Sequence, residues 1–240
     1  MRKVCVIVNS TLLALSAAAA AGSSRANANE IVERYLSATE AQQPQLRGIS
    51  MEVEIDAKLP KLKKQGRLHA FRSISRLGQI TYKALSFVGD KTIKNDVIAR
   101  YLTAETHATS GQAADMAITP RNYKFKYKGL TEQDGRQVHV FEISPQKKRV
   151  GLFKGQIWVD AATYLPVRES GRMVKNPSIF LKKVEFVRDY EIRDGVAYPH
   201  HIQSMVHTRV VGPAELSINY SHIAKQESTP ALVSAGADAQ

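Results

Sequence analysis

Between Ile49 and Leu59 apolar and polar residues alternate without a break, Ile49, Met51, Val53, Ile55, Ala57 and Leu59 against Ser50, Glu52, Glu54, Asp56 and Lys58. A two-residue period sends all six apolar side chains to one face, which predicts a half-buried strand. A turn at Pro60 to Lys64 leads to a second strand near 66–75, and Leu77-Gly78 leads to a third near 79–88. Turns this short between consecutive strands predict an antiparallel meander.

The period changes twice. Ile31, Val32, Tyr35 and Leu36 recur at helical spacing, predicting a helix from Asn29, as its cap, to about Ala41, ended by Pro44. Ile93, Val97, Ile98, Tyr101 and Leu102 do the same for a helix from about Thr92 to Glu105, followed by a loop or ragged helix over 107–119. From Asn122 onward alternation returns, with strands near 122–129, 136–144, 150–160, 164–173, 179–192, 196–211 and 214–223. Their turns are marked by Asp134-Gly135, Asp160-Ala161, Asn176-Pro177, Asp194-Gly195 and Gly212-Pro213.

About ten strands and two helices result, a mainly β (α+β) chain. Strands with one apolar face each must close, stack or curl around something. The predicted fold is a curled, incompletely closed antiparallel β half-barrel with the two helices covering its mouth. One domain over 29–224 accommodates it, and the Ser-, Ala- and Gly-rich end over 225–240 is expected to be disordered.

The first 28 residues change the picture of where the chain works. Met1-Arg-Lys, an apolar run from Val4 to Ala21 and the small residues ending at Ala26-Asn27-Ala28 predict a cleaved signal peptide. An uncleaved anchor is the alternative, since about 18 apolar residues can just span a bilayer. Cys5 is the only cysteine, so a cleaved chain would carry no disulfide, which fits a bacterial periplasm. The formal charge is +12, and without Arg2, Lys3 and Arg25 it is 12 − 3 = +9. Such a basic surface outside the cytoplasm suits anionic lipid, at the inner or outer membrane, or a membrane-bound acceptor protein. Nucleic acid is not expected: in Tyr123-Lys-Phe-Lys-Tyr-Lys128, strand alternation puts the aromatics and the lysines on opposite faces.

Signatures of catalysis are missing. There is no Gly-x-Ser-x-Gly, phosphate loop or His-Glu-x-x-His. His200 and His201 point to opposite faces of a strand, and His207 lies about 20 Å from His201 along it, so no metal is expected. Asp160 and Asp194 sit in turns, where Asp bonds its own backbone. Lys147-Lys-Arg149 suits a solvated turn or a membrane-facing patch. No cofactor is expected, and a hydrolase using His200 or His201 with a carboxylate is the least favoured reading.

What remains is apolar surface. Phe180, Val184, Phe186, Tyr190 and Ile192 share a parity on one long strand, and Leu216, Ile218 and Tyr220 do so on the last. With Trp158, the sole Trp, and Ile202 they also suit an ordinary core. A curled sheet covered by two short helices has more concave surface than they fill, however, and the surplus would hold acyl chains. The candidate ligand-binding set is therefore Trp158, Phe180, Val184, Phe186, Tyr190, Ile202, Leu216, Ile218 and Tyr220.

Gly155-Gln-Ile-Trp-Val-Asp-Ala-Ala-Thr-Tyr-Leu-Pro-Val-Arg168 and Asp194-Gly-Val-Ala-Tyr-Pro199, in this order of elements, resemble the outer-membrane lipoprotein-sorting proteins. These are relatives of the periplasmic carrier of the lipoprotein localisation pathway and of a sigma-factor regulator sharing its fold. The resemblance implies a half-barrel with helical lids and non-enzymatic carriage of lipid or lipoprotein acyl chains. A regulatory sensor that binds a membrane-bound partner protein is the alternative. In the carrier an Arg in an Arg-Pro stretch of the early strands gates the lid. Here the stretch reads Arg72-Ser-Ile-Ser-Arg-Leu-Gly78, without Pro, so that role is not carried over to Arg72 or Arg76.

Overall fold

The computed structural model describes residues 16–109, 113–176, 179–209 and 211–225. A helix α1 (Ser16–Gln42) passes through a 3-10 turn at Gln43–Leu46 into three strands, β1 (Ile49–Leu59), β2 (Lys64–Ile74) and β3 (Ile80–Gly89). A π-helical stretch, Ile93–Ile98, continues as α2 (Ala99–Thr109), with a single turn α3 (Ala113–Met116) beyond it. Seven strands follow: β4 (Tyr123–Gln133), β5 (Arg136–Pro145), β6 (Phe153–Asp160), β7 (Pro166–Met173), β8 (Leu181–Arg193), β9 (Val196–Thr208) and β10 (Pro213–Lys225).

All ten strands form one antiparallel sheet in the order β3-β2-β1-β10-β9-β8-β7-β6-β5-β4. Two meanders, β1 to β3 and β4 to β10, are joined where β1 pairs with β10, Ile55 facing Ile218. The strands that end up as free edges are β3 and β4, so the sheet stays open as a half-barrel. The segment carrying α2 connects those two edges.

Register puts the apolar sets in line. Leu68, Ile55, Ile218, Ile202, Arg188, Glu169, Ile157, Phe141 and Tyr127 are successive cross-strand partners from β2 to β4. Directly opposed residues share a face, so this row marks a single side of the sheet. Two cores stand on it. Ile93 and Ile98 pack with β1, β2, β9 and β10, joined by Val97, Tyr101 and Leu102. Ile31, Val32 and Tyr35 of α1 pack with Tyr123, Phe141, Ile143, Phe153, Ile157 and Val159. Each fully buried aliphatic contributes about 1.5–3 kcal/mol, so either plug is held mainly by its apolar stripe.

Turn chemistry sets that register. Asp134 and Gly135, and again Asp194 and Gly195, all have positive φ, the pattern of a two-residue hairpin that matches strand twist. At the β6–β7 turn the Asp160 carboxylate accepts from the Ala162 and Thr163 amides, at 3.2 and 2.8 Å, and from the Thr163 hydroxyl at 2.8 Å.

Two sequence expectations need correcting. Asn29 is not a helix cap: α1 begins at least as early as Ser16 and runs through it. Ala17 to Ala21, Ala26 and Ala28 are the best helix formers, and the helix carries through the residues between them. Phe180 is not on the long strand, which starts at Leu181. Of the expected signal peptide, residues 1–15 lie outside the described residues and Ser16 to Ala28 belong to α1; the expected tail beyond Lys225 also lies outside them.

Candidate functional site, a seam between two helical plugs

The middle of the sheet is less deeply buried than the strands under either plug. On β1 every second residue is buried, down to 0% exposure at Ile55 and Ala57. On β8, equally central, no residue is buried. Its inward side chains Val184, Phe186, Arg188, Tyr190 and Ile192 all keep partial access to water. Phe186 sits between small partners, Gly171 on β7 and Ser204 on β9, which leave its flanks open. Its ring is anchored at one edge by Phe153, 4.9 Å away and T-shaped. The side chains thus form an apolar seam running along β8 between α1 and α2.

Charged groups mark both sides of the seam. Glu169, almost fully buried, accepts from the Tyr190 hydroxyl at 2.9 Å and from Arg188 Nη1 at 3.2 Å. A buried carboxylate needs such donors, because unpaired it would carry the full desolvation cost. Tyr35 of α1 stands beside this group, and burial, then the Glu169 charge, pushes its phenol up. Burial and then Glu169 do the same to Tyr190.

On the other side, Arg72 of β2 donates to Glu105 of α2 through Nη2 at 2.8 Å and Nε at 3.1 Å. Arg72 Nε also donates to the Tyr82 hydroxyl at 3.2 Å, and that hydroxyl donates to the second Glu105 oxygen. The guanidinium stacks 5.9 Å over the Tyr220 ring. Burial works against the Arg72 charge, but Glu105 more than offsets it and holds the guanidinium above its ordinary range. The Arg72 side chain is 8% exposed and Glu105 21%. This pair ties the far end of α2 to the sheet, a latch on one of the two covers.

Of the residues expected from sequence to meet a ligand, Val184, Phe186 and Tyr190 line the seam. Ile202, Leu216, Ile218 and Tyr220 share that face but are buried in the α2-side core. Trp158 is on the opposite face: its neighbours Ile157 and Val159 point inward, while it pairs across to Val140 and Arg168. Phe180, 57% exposed, is in the β7–β8 turn away from the seam. His201 hydrogen-bonds Asn219 at 2.7 Å, and His200, exposed, has Nδ1 3.9 Å from Glu191.

Sequence reading left Arg72, Glu169 and Arg188 unassigned. The signal was a charge at an inward parity position. Arg72 falls between Ala70 and Ile74, and Arg188 between Phe186 and Tyr190. A charge at such a place must find a buried partner, but only the fold shows which.

A cross-strand groove of about 1420 Å³ runs mostly over the polar face, from Val88 and Arg67 to Gln156 and Glu142, with Phe186, Gly171 and Ser204 also in its lining. Its charges are matched across strands, with Arg67 Nε 2.8 Å from Asp56, Lys58 opposite Glu215 and Arg172 opposite Glu185. That is the pattern of a solvated sheet surface.

No family model matches the chain, and no curated protein matches it. Among solved structures it is similar to a DUF1329 family protein from Desulfovibrio piger, at 15% identity, covering 82% of this chain and 94% of that one, TM-score 0.42. It is similar to a putative outer membrane lipoprotein-sorting protein domain from Vibrio parahaemolyticus, at 14% identity, covering 83% and 92%, TM-score 0.41. A chain of the Pseudomonas aeruginosa MucA/MucB complex aligns at 10% identity, covering 84% and 100%, TM-score 0.24.

Proposed function

We propose that this chain is an exported, periplasmic protein that binds an apolar ligand, a lipid or a lipoprotein acyl chain, along the β8 seam, without catalysing its conversion. The observation that carries this reading is the incompletely buried central strand. β8 lies sixth in a sheet of ten, yet none of its residues is buried, and Val184, Phe186 and Tyr190 lie on the face that carries the plugs. Water against such a surface is unfavourable, and an acyl chain would replace it, each methylene contributing about 0.8 kcal/mol. No charged anchor is needed for useful affinity. Release of the Arg72–Glu105 latch would let α2 move and widen the seam, so one cover is the entry and the other, α1, the fixed wall.

Native mass spectrometry of gently purified protein tests this. The wild type is expected to carry a lipid-sized mass. Ser204→Trp, which fills the space beside Phe186 without removing apolar surface, is expected to lose it while circular dichroism stays β-rich. A wild type with no adduct, or a Ser204→Trp protein that retains it, would overturn the seam as the binding place.

A further inference from the structure

The antiparallel order sends alternate turns to opposite ends of the sheet. At one end are the β1–β2, β5–β6, β7–β8 and β9–β10 connections. Each of the first three carries an exposed apolar tip: Leu62 at 44%, Val150 at 47%, and Ile179 and Phe180 at 81% and 57%. The same turns carry exposed cations, Lys61 and Lys63 beside Leu62, Lys147 and Lys148 before Val150, Lys175 before Ile179, and Arg209 on the neighbouring turn. None of these six is in an ion pair among the described residues.

The opposite end is built differently. Its turns mix Asp134 and Asp194 with Arg76, Arg136 and Arg193, and the exposed apolar residues toward it, Leu77 after β2 and Leu130 on β4, stand at opposite flanks of the sheet. Isolated apolar residues are ordinary on a surface, whereas several on one rim are not. The basic rim is also braced: Arg209 donates its amide to the Phe180 carbonyl at 2.9 Å and its Nε to Ile179 at 2.8 Å, and the Val174 amide bonds Leu152 at 3.0 Å.

We infer that this basic, apolar-tipped rim docks the protein on an anionic lipid bilayer surface. Along the sheet, Leu62 stands about four strand spacings from Ile179 and about six from Val150, roughly 20 and 30 Å. Tips spread so far apart match a flat, fluid surface that admits each tip independently. The cations match phosphate headgroups, as interfacial anchors do. This inference goes beyond the ligand reading and does not depend on it, because the rim is remote from Phe186 and the Ser204→Trp variant leaves it intact.

Sedimentation of the full chain with vesicles of phosphatidylglycerol and phosphatidylcholine in equal parts tests the docking. Binding is expected to fall with salt and to be weak on phosphatidylcholine alone. Lys147→Ala with Lys148→Ala should lower partitioning by roughly fivefold per cation. Leu62→Ser with Phe180→Ser should lower it roughly tenfold. Arg76→Ala with Leu77→Ser, at the opposite end, should match the wild type. All variants share one N-terminus, so its own membrane affinity cancels. Equal binding to neutral and anionic vesicles, or equal loss in the opposite-end variant, would overturn the inference. So would loss with the lysine variant alone, which would mark the rim as a site for an acidic protein.

Discussion

Arg72→Met removes the charge of the α2 latch while keeping a long side chain in its place. Glu105 would then lose both guanidinium bonds while keeping the one from the Tyr82 hydroxyl. Removing one member of a buried pair costs about 3–5 kcal/mol, and a carboxylate 21% exposed can turn toward water, which sets the lower end, about 3 kcal/mol. The apolar hold on the same segment is the fully buried pair Ile93 and Ile98, about 3–6 kcal/mol together. The latch is therefore comparable to the contribution of those two side chains. Hydrogen exchange read by mass spectrometry should show α2 amides opening about 100-fold faster, since each factor of ten corresponds to about 1.4 kcal/mol. Peptides from β5 and β6, in the separate core under α1, should change much less. Equal acceleration in both cores would refute the latch and leave Arg72 as one more contributor to global stability. So would less than a tenfold change in α2.

Asp160→Ala should destabilise the protein by about 2–4 kcal/mol in urea titration, because three donors at the β6–β7 turn lose their acceptor; a change under 1 kcal/mol would mean that water replaces it. The buried phenols predict alkaline unfolding. Burial, then Glu105, pushes Tyr220 up to about 12, and burial pushes Tyr123 up to about 12. An unfolded tyrosine titrates near 10, so stability intact below that pH is lost as pH rises toward 12, by about 2–3 kcal/mol for each of these two groups. Tyrosinate absorbance should therefore rise in a steep step coincident with loss of β signal, and a broad titration centred near 10 with the sheet intact would contradict the burial.

The alternation at Ile49 to Leu59 was enough to predict β1 to the residue, because a half-buried strand imposes its period locally. Asp134-Gly135 and Asp194-Gly195 likewise announced their hairpins, since few residues accept positive φ. Ten strands, two principal helices and an open sheet were all legible in this way. Trp158 shows where that legibility stops. Its place near the middle of a strand looked like a lining position, yet parity relative to Ile157 and Val159 turns it to the other face.

The amino-acid pattern alone determined which residues are strand, helix or turn, and which side chains share a face, because those follow from contacts a few residues apart. Only the tertiary structure decided that β3 and β4 become the edges, with α2 laid across between them. It also decided that Arg72 meets Glu105 and that Glu169 meets Arg188. Such pairings join residues 33 and 19 positions apart, and burial makes them compulsory without naming the partner. The bare seam on β8 has the same origin. Its inward parity still carries Val184, Phe186 and Ile192, and that they stay half-exposed while the inward residues of β1 are buried is set by tertiary packing and not by the local pattern.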